Sequence, residues 1–127
     1  MGAHFLAFIP QLHTRDCAVA VLAMLLDVSY EEALAAFRHN VVAGGATVKQ
    51  IRQAAQRLGH PLVYRRQVDL EQDTGILCLG SAGWTDDHLV ILKEGIMIDP
   101  DGTLWEADVY IATYMARVLS LLSRKET

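Results

Sequence analysis

The sequence predicts an α+β fold in which a helical first half is followed by an antiparallel sheet. The first half carries two capping boxes, Ser29 to Glu32 and Thr47 to Gln50, and the segment that the second one opens has apolar residues at helical spacing. The second half consists of short β-rich runs separated by Gly, Asp and Ser. The 127 residues suffice for one domain with a hydrophobic core, so we expect a single domain over residues 1–127.

The N-terminal part of the chain combines a short apolar run with the most apolar helix. Residues 5–9 end at Pro10 and form either an edge strand or an extended lead-in. A helix is expected from about Cys17 to Leu26, with Thr14 or Asp16 as its cap. Because this helix is apolar nearly all round, it should be the buried central one.

The two capping boxes predict a second and a third helix. The second runs from Ser29 to about His39, and a loop is expected over residues 41–46. The third ends near Leu58, where Gly59 stands in the position of a left-handed C-cap.

Four short runs in the second half have strand composition, and the tail is ambiguous. The four runs are Leu62–Arg65, Ile76–Leu79, His88–Lys93 and Ile96–Asp99. The dipeptide between the last two, Glu94-Gly95, indicates a tight hairpin. The tail forms either a helix that Asp108 caps and that runs to about Met115, followed by a strand over residues 117–123, or one long helix from Asp108 to about Leu122.

Composition narrows the class of partner. The 11 Lys and Arg residues against 15 Asp and Glu residues give a net charge of −4, which argues against nucleic acid or an anionic membrane as the main partner. No metal-ligand spacing such as CxxC or HExxH is present, so we expect no metal and no cofactor. No signal peptide is evident and the apolar runs are too short to span a bilayer, so a cytoplasmic protein is expected. Composition leaves the oligomeric state open.

Cys17 stands at the start of the expected buried helix, where the helix N-terminus favours the nucleophilic thiolate. Gln11, six residues earlier, carries an amide able to donate to an oxyanion. The other cysteine, Cys78, lies in the apolar run Ile76–Leu79 and is expected to be an inert core thiol, although pairing with Cys17 stays open.

His88 and Asp99 are candidates for a general base and the residue that orients it. A two-residue turn at Glu94-Gly95 places Val90 opposite Asp99, and His88, two residues from Val90, shares that face of the sheet. An Asp that accepts from one imidazole nitrogen leaves the other to face Cys17.

Each of these residues also has an ordinary structural interpretation. Cys17 is compatible with a core position, His88 with a strand-end surface residue and Gln11 with a loop. Asp99 begins an Asp-Pro-Asp-Gly turn and needs no further role there. The order of the four residues along the chain is more specific than any one of them.

The pattern is similar to the papain-like cysteine peptidase superfamily, and most similar to the bacteriocin-processing peptidase domains that cut after double-glycine leaders and to their stand-alone relatives. The matching residues are Gln11, Asp16-Cys17, Ala23-Met24-Leu25-Leu26, Ser29-Tyr30-Glu31-Glu32, Gly59, His88-Leu89-Val90 and Ile98-Asp99-Pro100. The resemblance implies a papain-like fold with Cys17 as nucleophile, His88 as base, Asp99 as its orienter and Gln11 as oxyanion donor.

The resemblance also points to residues around the expected cleft. Trp84 and Gly83 lie in the loop before His88 and would line the cleft, with Trp84 as an apolar wall. The sequence departs from the family pattern at two positions: Ala18 replaces the usual Gly after the Cys, which would narrow the cleft, and Leu89 replaces a frequent aromatic residue after the His.

The resulting hypothesis is a cysteine peptidase that acts on a peptide or protein substrate. Three alternatives remain open from sequence: an acyl or amide transferase on the same scaffold, a catalytically silent peptide-binding module, and an α+β domain without chemistry.

Overall fold

A computed structural model of the chain describes residues 17–84 and 86–125. The apolar run at residues 5–9 and the expected caps Thr14 and Asp16 lie outside the described residues. The helices are α1 (Cys17–Leu26), α2 (Tyr30–Ala36), α3 (Val41–Gly44), α4 (Val48–Arg57) and α5 (Ala107–Tyr114). The strands are β1 (Leu62–Arg65), β2 (Thr74–Gly80), β3 (His88–Lys93), β4 (Ile96–Ile98), β5 (Leu104–Glu106) and β6 (Arg117–Arg124).

Helix α1 is the central helix of the protein, as its composition predicts. The residues from Ala18 to Leu26 are each at most 3% exposed. The helix packs against α2 and α4 on one side and against β2 and β3 on the other. A helix that is apolar all round needs apolar neighbours on every side, and this position supplies them.

Both predicted capping boxes form. The Ser29 hydroxyl accepts from the Glu32 amide at 3.0 Å, and the Glu32 carboxylate accepts from the Ser29 amide at 3.4 Å. The Thr47 hydroxyl accepts from the Gln50 amide at 3.1 Å, with a return bond of 2.9 Å. These bonds satisfy amide donors that a helix start otherwise leaves without partners, so α2 and α4 begin where the sequence predicts.

Two expectations for the helical half are wrong. Helix α2 ends at Ala36 rather than near His39, because Phe37 turns to an extended backbone with ψ of 142° and buries its side chain in the core. The expected loop over residues 41–46 contains α3, whose N-cap Asn40 accepts from the Ala43 amide at 3.3 Å. Burial of Val41 anchors this single turn against the core.

The described strands form one antiparallel sheet of six strands in the order β1-β6-β2-β3-β4-β5. The predicted hairpin is present, because Lys93 pairs with Ile96 across a turn of Glu94 and Gly95. Both turn residues have positive φ, 45° and 92°, as a two-residue hairpin turn of the I′ type requires. Strand β4 ends at Ile98, so Asp99 lies just beyond the strand rather than in it.

The tail forms a helix followed by a strand, and the alternative of one long helix is wrong. Helix α5 ends at Tyr114, and its C-cap residue Met115 has a left-handed backbone with φ of 50°. Strand β6 then inserts between β1 and β2. Asp108 is not the helix cap: Glu106 holds the N-cap position, without a capping bond from its side chain. Strand β5 was not among the predicted strands; it pairs with β4 along its three residues.

The sheet buries apolar side chains on both faces. Along β2, Ile76 and Cys78 pack with α1 and α4, while Leu77 and Leu79 pack on the opposite face with residues of α5. This alternation explains why β2 reads as a continuous apolar run. The fold therefore has three layers, with α1 to α4 on one side of the sheet and α5 on the other.

Candidate active site

The start of α1 and the ends of several strands meet at one cavity of about 1010 Å³, which we call the cleft. His88 is the first residue of β3, and Asp99 directly follows β4. The cleft is lined by every described residue that the sequence predicts for the site, namely Cys17, Ala18, Gly83, Trp84, His88 and Asp99. Gln11 lies outside the described residues, so its role stays a prediction.

His88 and Asp99 are in direct contact. The Nε2 atom of His88 lies 2.7 Å from Oδ2 of Asp99, and the Asp99 side chain is 11% exposed. The other carboxylate oxygen, Oδ1, accepts from the Asp101 amide at 3.0 Å. Backbone bonds from Asp99 to Thr103 and from Gly102 to Asp99, both 2.9 Å, close the turn. Asp99 is thus a turn former and at the same time the partner of the imidazole.

Asp99 is held in its charged form. Burial by itself would raise the pKa of Asp99, but hydrogen bonds from His88 and from the Asp101 amide outweigh it, and the pKa lies below its ordinary value. A carboxylate can only accept, so Nε2 of His88 carries the proton in this contact. The proton-accepting nitrogen of a neutral His88 is then Nδ1.

Trp84 packs on the imidazole. Its ring centroid lies 6.0 Å from that of His88, with an angle of 78° between the planes, an edge-to-face arrangement. The Trp84 side chain is half-buried and also contacts the core on the α5 face of the sheet. Gly83 precedes it with φ of 145°, a backbone conformation that favours glycine. The backbone conformation of Gly83 therefore allows the loop to place the Trp84 ring in contact with His88.

The two cysteines differ in environment although both line the cleft. Cys17 is half-buried at the first position of α1, next to the fully buried Ala18. Cys78 is 6% exposed, and burial together with the negative charge of Asp87 raises its pKa to about 11. The two are not joined in a disulfide. Cys78 is therefore almost entirely in the protonated, weakly nucleophilic form at neutral pH.

Three aromatic residues of the cleft wall were not predicted from sequence. Trp105 of β5 lies 5.2 Å and 5.7 Å, between ring centroids, from Tyr110 and Tyr114 of α5, and the two tyrosine rings are 4.7 Å apart. The four-residue spacing of the tyrosines was an available signal, since it places two side chains on the same face of a helix. Asp101, two residues after Asp99, also lines the cleft.

Among residues 17–84 and 86–125, no group of three or more His, Cys, Asp or Glu side chains could hold a metal ion. None of the described helices combines the length and the apolarity that a membrane crossing requires.

The fold has a counterpart among solved structures. The chain is similar to a double glycine motif protease from an AMS/PCAT transporter, whose crystal structure is a complex with the leader peptide. The TM-score is 0.68 at 17% sequence identity, over 97% of this chain and 93% of that chain. No protein-family model matches the sequence. The search of curated proteins found no match either. The α+β fold that the resemblance implies is confirmed, with Cys17 in the first described helix, and the chain has the fold of a double glycine motif protease.

Proposed function

We propose that the protein is a cysteine peptidase that hydrolyses an amide bond in a peptide or protein substrate. The contact of 2.7 Å between His88 and Asp99, in a cleft that Cys17 also lines, is the observation that carries the proposal. An ionised Asp beside a His, with a cysteine at a helix start, is the set of groups that nucleophilic catalysis by a thiol needs. The likeness of the fold to a protease supports the same class of reaction.

In the first half-reaction the Cys17 sulfur attacks the carbonyl carbon of the scissile amide. The Nδ1 atom of His88 takes the thiol proton, and Asp99 stabilises the resulting imidazolium through Nε2. The oxyanion receives hydrogen bonds from the Cys17 amide and from the Gln11 side chain, each worth about 3 kcal/mol. The C–N bond then breaks, His88 returns the proton to the departing amine, and the acyl group stays on sulfur as a thioester.

In the second half-reaction a water molecule replaces the amine. His88 removes a proton from the water, whose oxygen attacks the thioester carbonyl carbon, and the carbon–sulfur bond breaks. The Cys17 thiolate recovers its proton from His88, and the peptide leaves with a new carboxyl terminus. Both half-reactions use the same imidazole nitrogen, so the orientation that Asp99 gives to His88 matters in each.

The cleft favours a substrate segment with small side chains next to the cut. The small residues Ala18 and Gly83 line the cleft together with Trp84, whose ring contacts that of His88. The solved neighbour holds a leader peptide, which supports a peptide as the substrate class. We therefore propose an extended peptide whose residues at the cleavage point are small, such as Gly or Ala.

Two other functions share this site. An acyl or amide transferase would pass the same thioester to an amine instead of water. A peptide-binding module would use the cleft without chemistry. Hydrolysis is favoured over silent binding because Cys17, His88 and Asp99 are all retained in one cleft.

The test incubates the purified protein with a peptide library, with and without an added amine, and identifies products by mass spectrometry. We expect new peptide termini with the unaltered protein and with Cys78→Ala, and none with Cys17→Ala. Amine adducts in place of free carboxyl termini would identify a transferase. No product that depends on Cys17 in either arm, together with measurable peptide binding, would replace the peptidase with a binding module.

A further inference from the structure

We propose that the cleft binds a cationic side chain of the substrate, a lysine or an arginine, between Trp105, Tyr110, Tyr114 and Asp101. We call these four residues the cation pocket. This inference rests on the proposed function, because the pocket belongs to the same cleft as Cys17 and His88 and would select among peptides that reach them.

The aromatic rings provide the first part of the site. The three rings contact one another at centroid distances of 4.7 to 5.7 Å, and all three line the cleft. Trp105 and Tyr114 also remain partly exposed. The faces of Trp and Tyr rings attract a cation through their quadrupole, and the methylene stem of a lysine or arginine packs well on such rings.

The hydroxyl of Tyr110 is the second part of the site. Tyr110 is only 6% exposed and lines the cleft, yet no hydrogen bond joins its hydroxyl to another described residue. A buried polar group without a partner is costly, so a ligand atom that satisfies it gains affinity. Burial, and then the negative charge of Asp99, raises the pKa of Tyr110 to about 12. The hydroxyl therefore stays neutral and can accept a hydrogen bond from an ammonium or guanidinium group.

The charges of the cleft are the third part of the argument. Asp86, Asp87 and Asp101 line it with exposed carboxylates, and no lysine or arginine is among its described lining residues. Asp101 is oriented by the turn, since its Oδ1 accepts from the Thr103 amide at 2.9 Å and from the Thr103 hydroxyl at 2.7 Å. Its Oδ2 is the oxygen that a cation would contact. An acidic side chain would meet repulsion in the same place.

The test compares peptides that differ at one position only. A decapeptide of Gly, Ala and Ser, blocked at both ends, carries a single Lys, Gln or Glu that is moved along the chain. Binding is measured to the Cys17→Ala protein, and cleavage is measured with the unaltered protein. When the variable residue stands at the position that reaches the cation pocket, we expect the Lys peptide to bind about 3- to 10-fold more tightly than the Gln peptide. The Glu peptide should bind more weakly still.

Two variants locate the preference. Asp101→Asn removes the charge while keeping an oxygen for Thr103, and Tyr110→Phe removes only the hydroxyl. Each, made in the Cys17→Ala protein, should remove most of the preference for Lys over Gln. Asp108→Asn is the matched control, because Asp108 is an exposed carboxylate of α5 that is not part of the cleft wall, and it should leave the preference unchanged.

The outcomes separate this inference from the proposed function. A preference for Lys without cleavage supports the cation pocket and overturns the peptidase. Cleavage, together with equal binding affinities for the Lys, Gln and Glu peptides at every position, overturns the cation pocket and leaves the proposed peptidase function standing. Neither preference nor cleavage overturns both. If both pocket variants fold and still prefer the Lys peptide over the Gln peptide, the preference does not arise from the cation pocket and the inference is overturned.

Discussion

Replacement of Asp99 by Asn tests the orientation of the proposed catalytic base. In the unaltered protein both carboxylate oxygens accept hydrogen bonds, Oδ2 from Nε2 of His88 at 2.7 Å and Oδ1 from the Asp101 amide at 3.0 Å. An Asn side chain has only one acceptor oxygen. Whichever way the amide lies, one of the two N–H groups loses its acceptor oxygen, although the shape of the side chain is nearly unchanged.

The expected losses of activity and of stability follow from these two hydrogen bonds. If the amide oxygen stays with Asp101, the NH₂ group faces Nε2, and the imidazole proton must move to Nδ1, the nitrogen proposed to receive the thiol proton. The wrong tautomer is expected to lower kcat/KM on the order of 100- to 10,000-fold. The loss of a hydrogen bond to a buried charge should also lower the free energy of unfolding by roughly 1.5–3 kcal/mol.

The assay measures kcat/KM on a cleaved peptide and urea unfolding for the same samples. Asp73→Asn is the matched control, because Asp73 also accepts two hydrogen bonds and has a lowered pKa, caused mainly by the Asp69 amide and by Arg65. Asp73 directly precedes β2, at the end of that strand that pairs with Lys93, whereas His88 pairs with the other end of β2. The control should lose some stability and keep its turnover. An Asp99→Asn enzyme within about threefold of the unaltered kcat/KM would refute the need for a charged carboxylate, and an Asp99→Ala enzyme within the same range would refute the orienting role of Asp99.

The same variant should change the pH dependence of stability. The pKa of Asp99 is lowered in the folded state, so its stabilising contribution is present above the ordinary value of 3.8 and is lost as pH falls through the folded-state pKa. We therefore expect the difference in unfolding free energy between the unaltered protein and Asp99→Asn to be constant near neutrality and to shrink on acidification below about pH 4. A difference that grows in acid would contradict this assignment.

Three further predictions concern the thiols, the cleft wall and the sheet. Iodoacetamide at neutral pH should modify Cys17 and spare the buried Cys78, whose pKa is about 11; mass spectrometry that finds equal modification in folded protein would refute this. Trp84→Ala should expose the imidazole to water and lower kcat/KM about tenfold, while Trp84→Phe keeps most activity. Equal kcat/KM values for the two variants would refute a role of the aromatic ring in catalysis. Gly75→Ala should cost about 1–3 kcal/mol in urea unfolding, since its Cβ would collide with a carbonyl oxygen of β6, whereas Gly44→Ala meets open space and should be nearly neutral.

Local signals in the sequence were enough to predict much of the fold. The capping boxes at Ser29 and Thr47 and the positive φ of Gly59 depend on residues within one or two helical turns. The contact of His88 with Asp99 also follows from local information, because the two residues belong to one hairpin whose turn sets the register. The roles of Cys17 and Gln11 came from residue type and resemblance, and they stay predictions.

Tertiary structure alone decided the features that depend on contacts between distant parts of the chain. The tail ends as a strand because β6 fills the place between β1 and β2, where Leu121 and Leu122 become buried on opposite faces. Strand β5 forms only because the edge of β4 offers it a partner. The aromatic residues Trp105 and Tyr110 reach the cleft because α5 covers the face of the sheet that α1 leaves open. The pattern of a few residues carries no information about which distant part of the chain will pack against that segment. Burial against that distant part determines the final structure of the segment.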